Sequence, residues 1–310
     1  MSGETAAHAD APKGKATQER ALAAARESGD PVEILSRRGE TRTVRALPNG
    51  RIEVEQHVQP IRARRGGEWA DIDTTLRRSG EAIVPVASTV GLRFSAGGDG
   101  PMVRVTRAGR ELALSWPQAL PEPTLEGDTA VYEGVAGPGV DLRLRALADG
   151  FAHVLVVKSA QAARDPRAAR LVLGLSTSGL SVREDPESGM LTASATGSGA
   201  GVFAAPSPVM WDSSRAAGKG ARAGAARGEA DPAVEAPMGA RTAPIEMAVG
   251  EGSVTLTPDP GMLAAPDTVF PVYIDPVYRT LKASSWGMVS SGWPSENYPM
   301  FNGKSTEGVG

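Results

Sequence analysis

The side chains with the widest chemical reach in this chain are few and scattered. Its three histidines, His8, His57 and His153, fall in a polar N-terminal tail and in two alternating stretches. None has the i, i+4 spacing by which a helix turns two imidazoles towards one zinc ion. His153 is expected on a half-exposed strand face. Carboxylates offer more: Asp71 and Asp73 are two residues apart, so on one strand they would share a face and could act as acid and base or hold a cation. Asp141, Asp212 and Asp275 occur singly. A glycoside hydrolase needs two carboxyl groups at a set separation across a cleft, whereas the bland alternative for Asp71 and Asp73 is a solvated face or a turn.

Other chemistry lacks its setting. Gly97-Gly98-Asp99-Gly100 and Gly197-Ser198-Gly199-Ala200-Gly201 have neither the following helix nor the lysine of a phosphate loop, and both are expected to be turns. No G-x-S-x-G elbow occurs. Cysteine is absent, which removes disulfides, thiolate zinc sites and a thiol nucleophile together. No cofactor is expected, and no catalytic or metal-binding residue is assigned. The aromatic residues say more. Trp69, Trp116 and Trp211 stand at the edges of expected strands, where a large ring plugs a core. Trp286, Trp293, Tyr298 and Phe301 cluster instead among Ser, Gly and Asn. Flat rings beside amides and hydroxyls suit a sugar-binding surface, so Trp286, Trp293 and Tyr298 are the candidate carbohydrate contacts, with burial in a following domain as the alternative.

The elements that would position these groups follow from periodicity. Residues 1–30 form a disordered leader with one short helix over Thr17–Ser28, with Ala21, Leu22 and Ala25 on one side and Gly29 as its stop. From 31 to 212 short alternating segments dominate. Val44 and Ala46, then Ile52 and Val54, alternate with polar residues about Pro48-Asn49-Gly50, which predicts a hairpin. EWADID, AIVPVA, LRFSA, MVRVTRA, ELALSW, DLRLRAL, AHVLVV and LVLGLS continue the pattern between turn residues. The expected class is therefore mainly β, an antiparallel sandwich. Residues 213–240 hold almost no large apolar side chain and are expected to be a flexible linker. Strands return over 241–278, either completing the main domain or forming a small unit. Residues 279–310 are expected to open a further β module.

Charge narrows the partners. The 36 acidic and 33 basic residues are dispersed and leave a net charge of −3, without the concentrated basic face that nucleic acid requires. No apolar run approaches the ~18 residues of a membrane span. The start, MSGETAAHADAPKGK, has no apolar h-region.

Several long segments in order, EVEQHVQPIRARRGGEWADIDTTL, LSWPQALPEPTLEGDTAVYEGVAGPGVDLRLRALADGFAHVLVVKS, VFAAPSPVMWDSS and FPVYIDPVY, resemble a known family. It is the N-terminal region of large secreted proteins of GC-rich Gram-positive bacteria that carry disaggregatase-related (DNRLRE-type) modules, laminin-G-like jelly rolls or RHS repeats further along. The resemblance implies a signal peptide, export to the cell surface or medium, and a non-catalytic structural or presentation role. It also implies carbohydrate binding, to a polysaccharide or cell-wall glycan, in the downstream modules. From about Thr280 the chain resembles the opening of the disaggregatase-related module. A carbohydrate-binding module, and a polysaccharide hydrolase using Asp71, Asp73 and Asp141, stand as the alternatives.

Overall fold

The computed structural model describes residues 17–214, 236, 239–275 and 277–280, together with the backbone of 13–16, 286–290 and 293–300. The first described element is α1 (Lys13–Ser28), which starts four residues before the expected Thr17. Gly29 ends it with φ +78° while its N–H donates to the Ala25 carbonyl at 3.0 Å, a left-handed cap that favours glycine. Three strands follow, β1 (Val32–Glu33), β2 (Arg42–Ala46) and β3 (Ile52–Gln56), as a separate antiparallel sheet in that order. The period-two pattern turns Val32, Val44, Ala46 and Ile52 towards α1, where Ala21, Ala25, Ile34, Val44 and Ala46 are buried together. Charge covers the opposite face: Glu33 takes Arg38 and Arg62, and Arg45 reaches both Glu53 and Glu55. A two-stranded hairpin comes next, β4 (Arg62–Arg65) and β5 (Glu68–Asp71).

The remaining strands build two large sheets. A meander of β6 (Asp73–Ser79), β7 (Ala82–Ala87), β8 (Gly91–Ser95), β9 (Pro101–Arg107) and β10 (Arg110–Ser115) starts the first. The β9–β10 turn is two residues, Ala108 and Gly109, both at positive φ, whose twist matches that of the flanking strands. The second sheet opens with β11 (Thr124–Glu126), β12 (Thr129–Tyr132), β13 (Val140–Leu147) and β14 (Gly150–Val157). After the short helix α2 (Pro166–Ala169), β15 (Leu171–Ser178) returns to pair with β10. The chain then crosses to the second sheet for β16 (Leu180–Glu184), β17 (Leu191–Ala195), β18 (Gly201–Ala205), β19 (Val209–Trp211) and β20 (Thr242–Pro244). It crosses back for β21 (Glu246–Gly250) and β22 (Ser253–Thr257), which extend the first sheet beyond β15. Past α3 (Pro260–Ala264), β23 (Val272–Asp275) and β24 (Val277–Thr280) insert into the second sheet, between β14 on one side and β19 and β18 on the other. The strands of 242–280 are therefore shared between both sheets. A final hairpin, β25 (Trp286–Ser290) and β26 (Trp293–Met300), stands as its own pair.

All paired strands are antiparallel, and the class is mainly β and sandwich-like, as alternation predicts. One apolar core joins the two large sheets. Ile83, Phe94, Val103 and Leu114 come from the first, and Leu142, Phe151, Leu155, Phe203 and Ile274 from the second. Each such side chain contributes about 1.5–3 kcal/mol relative to exposure. Strand β14 is buried along its whole length, because its outer face is also covered: Val154 and Val156 pack with Trp211 and Tyr273, against which Ala236 and Ala240 lie. Trp116 takes the expected core place, its Nε1 donating to the Val135 carbonyl at 3.3 Å. Trp69 does not: it is half-buried on β5, with the Arg64 guanidinium 4.1 Å from its ring centroid. A two-stranded hairpin has no core for it to enter, so its ring face meets a cation instead.

Candidate functional site

The middle of the second sheet brings together buried ionisable groups among the described residues, Asp149, His153, Asp275 and Tyr278. On β14, Phe151, His153 and Leu155 alternate with Ala152, Val154 and Val156. Cross-strand pairing of Leu155 with Ile274 and Phe151 with Tyr278 fixes the first set on the core face. The second set shares the outer face with Tyr273 and hence, two residues on, with Asp275.

On that outer face Asp275 is nine-tenths buried, and its Oδ1 has no hydrogen-bond partner among the described residues. Burial pushes its carboxyl up to about 7, against the opposing pull of the Arg279 and Arg145 guanidinium charges. Each arginine also meets another acid: Arg145 Nε donates to Asp128 at 2.8 Å, and Arg279 Nη1 lies 3.4 Å from Asp149. Gly150 shapes this place, since a Cβ there would run into the Tyr278 carbonyl and the Arg279 Cα. An acid whose proton is exchanged near neutrality can serve as a general acid or base, but it needs a partner group and access.

The histidine is on the wrong side to be that partner. His153 projects into the core, opposite Leu144 on β13 and stacked with Tyr278 at 5.7 Å between ring centroids, while Tyr278 stacks on Phe151 at 5.0 Å. It is buried, not half-exposed as alternation suggested, because β24 closes over the edge of β14 that an outermost strand would leave open. Burial alone lowers its pKa to about 3, so the imidazole is neutral at ordinary pH. The same burial raises the Tyr278 hydroxyl above its usual range.

The other sequence candidates are dispersed. Asp71 ends β5 and Asp73 begins β6, on strands of different sheets, and both side chains are exposed. The Ile72 N–H between them donates to the Ile61 carbonyl, and Asp73 turns back to accept from the Thr75 N–H at 3.0 Å. The Thr75 hydroxyl, and after it that N–H, hold its carboxyl below the usual range. Asp141 is buried, salt-bridged to Lys158 at 2.5 Å and accepting from the Gly134 N–H at 3.1 Å. His57 is partly exposed beside Glu55 at 3.3 Å. Of the glycine runs, Gly97, Gly98, Gly100, Gly197 and Gly199 all adopt positive φ in loops.

Asp212 performs a task that spacing did not reveal. Its Oδ1 accepts from the N–H of Ser214 and of Arg241, at 3.0 and 3.1 Å, and from the Ser214 hydroxyl at 2.5 Å; its Oδ2 accepts from the Val269 N–H at 3.2 Å. Burial opposes ionisation here, yet these four donors outweigh it and hold the carboxyl below its ordinary value. The group ties together β19, the entry to β20 and the loop before β23.

Trp286, Trp293 and Tyr298 all fall on the terminal hairpin, where Trp286 pairs with Met300, Met288 with Tyr298 and Ser290 with Trp293. Their side chains, together with His8, Phe301 and most of the 213–240 linker, lie outside the described residues. A groove of about 720 Å³ runs over β16 and β17, lined by Ser181, Arg183, Glu184, Thr192, Ser194 and Thr196, and includes neither Asp275 nor His153. Among the described residues no three His, Asp or Glu side chains are grouped to hold a metal ion, and no helix is long and apolar enough to cross a membrane. Set beside known proteins, the chain matches no family model, no curated protein and no solved structure.

Proposed function

We propose that this chain is a non-catalytic, extracellular structural module that presents domains following it in a larger secreted protein. One observation carries the reading: the acids from which a hydrolase would be built are spent on architecture. Asp141 is neutralised by Lys158, Asp212 fastens three segments, and Asp71 and Asp73 diverge onto separate sheets. Asp275, whose carboxyl burial pushes up to about 7, is covered on its sheet and has the buried histidine on the far face. The resemblance of the long segments to exported Gram-positive proteins supports the compartment. A polysaccharide or cell-wall glycan is the proposed partner of the module that begins with Trp286, Trp293 and Tyr298.

The test is incubation of the purified chain with chitin, cellulose, xylan and peptidoglycan. Reducing ends are expected to stay at background over a day. Release that disappears in Asp275→Asn or Asp141→Asn would refute the structural reading and install an enzyme in its place.

A further inference from the structure

We infer that β3 is a docking edge at which two copies of the chain join their small sheets. The edges of the large sheets are short or shielded. β6 packs against β11, β12 and β13, with the Leu76 N–H donating to the Gly127 carbonyl at 2.8 Å, and β16 packs against β21. β11 and β20 are three residues each, and β20 ends at Pro244, which has no N–H to offer. β3 is different: it is five residues long, and among the described residues no strand pairs with its outer side.

The ladder fixes what that side presents. The His57 N–H donates to the Thr41 carbonyl at 2.7 Å, and the Leu47 N–H to the Arg51 carbonyl at 2.8 Å, so the odd-numbered residues bond inward to β2. The N–H and C=O groups of Ile52, Val54 and Gln56 therefore point outward. Val54 is 58% exposed and Val58, just beyond, 82%. An unprotected, partly apolar edge of this kind is a template for another strand.

The side chains favour a second copy as that strand. An antiparallel approach about a two-fold axis at Glu53 sets Ile52 of each copy opposite Val54 of the other. Even-numbered residues then meet even-numbered ones, and the Ile52 and Val54 pairs exchange four hydrogen bonds between the chains. On the charged face the same register sets Arg51 of each copy opposite Glu55 of the other, two opposite-charge pairs. The two Glu53 carboxylates meet at the axis, where each already has Arg45 at 3.1 Å to absorb the repulsion. The product is one six-stranded sheet, β1 to β3 and back, with an α1 on each half.

Sedimentation of the full chain from about 1 to about 200 µM tests this, a range that brackets a micromolar association. A reversible dimer is expected. Val54→Pro removes only an outward N–H, so it should give a monomer with unchanged circular dichroism and thermal midpoint. Arg51→Glu should weaken the dimer by about tenfold or more, the equivalent of losing one good pairing term, and Arg51→Glu combined with Glu55→Arg should recover it. A wild-type chain that stays monomeric over the whole range, or a dimer indifferent to both Val54→Pro and Arg51→Glu, would overturn the inference.

Discussion

Two buried titratable groups, one on each face of the second sheet, should offset each other's effect on stability between about pH 4 and 6.5 and give a pair of variants in which the offset is gone. His153 is lowered to about 3 from 6.5, so the fold favours its neutral form. Its contribution is whole above 6.5 and is lost as the pH falls towards 3, a total of roughly 5 kcal/mol. Asp275 is raised to about 7 from 3.8, so the fold favours the protonated acid. That contribution is whole below 3.8 and is lost as the pH rises to about 7, roughly 4 kcal/mol in all. Between those bounds the two slopes are opposite in sign and each about 1.4 kcal/mol per pH unit, so they cancel. Asp275→Asn mimics the protonated acid and removes one slope. Relative to wild type it should be neutral near pH 4 and more stable by about 4 kcal/mol at pH 8. His153→Phe, which extends the Phe151–Tyr278 stack, should be more stable than wild type at pH 4 by roughly 3 kcal/mol and close to it at pH 8. Urea unfolding followed by tryptophan fluorescence at half-unit pH steps measures both. Wild-type and Asp275→Asn curves that run parallel from pH 4 to 8 would refute the assignment of a buried, near-neutral acid.

Further outcomes follow from the packing. Asp212→Ala leaves the Ser214 and Val269 N–H groups without their acceptor and the Arg241 N–H with only the Ser214 hydroxyl oxygen, and should cost roughly 3 kcal/mol at pH 7, read as a fall in the urea midpoint. Because its carboxyl is held below its usual value, the wild-type advantage is present above the ordinary aspartate range and fades as the pH drops below it, so the two curves should converge in acid. Gly150→Ala drives a methyl group into the Tyr278 backbone and should separate β14 from β24, costing about 3 kcal/mol or more; hydrogen exchange at Phe151 and Ala152 would rise first.

The sequence made the hairpin about Pro48-Asn49-Gly50 plain because alternation and turn chemistry agree there, and Gly50 takes the positive φ that the turn demands. The pair Asp71 and Asp73 is exposed, the solvated face that the sequence offered as the bland alternative. Spacing speaks for one strand only: the Ile72 N–H still bonds Ile61 in register with the β4–β5 hairpin, and Asp73 then starts β6, so the two acids belong to different sheets. His153 misled because its surroundings arrive from far along the chain; no local pattern announces that Tyr278 will stack on it. Two helix starts were legible and went unread: Asp165-Pro166 and Asp259-Pro260 each place a capping carboxylate before a proline, and both open short helices, α2 and α3. The same dipeptide at Asp185-Pro186 opens only a turn, in which Asp185 accepts from the Glu187 and Ser188 N–H groups. An aspartate ending the run Val272-Tyr273-Ile274 was the available hint of a buried acid.

The late entry of β23 and β24 sets the order in which the molecule can be assembled. These strands sit between β14 and the β18–β19 segment, yet they are made after everything they separate. Nascent chain emerging up to Pro244 has two halves of a sheet and nothing to join them, so closure waits on residues more than a hundred positions downstream of β14. Any chaperone or translocation machinery that meets this protein during synthesis meets it open.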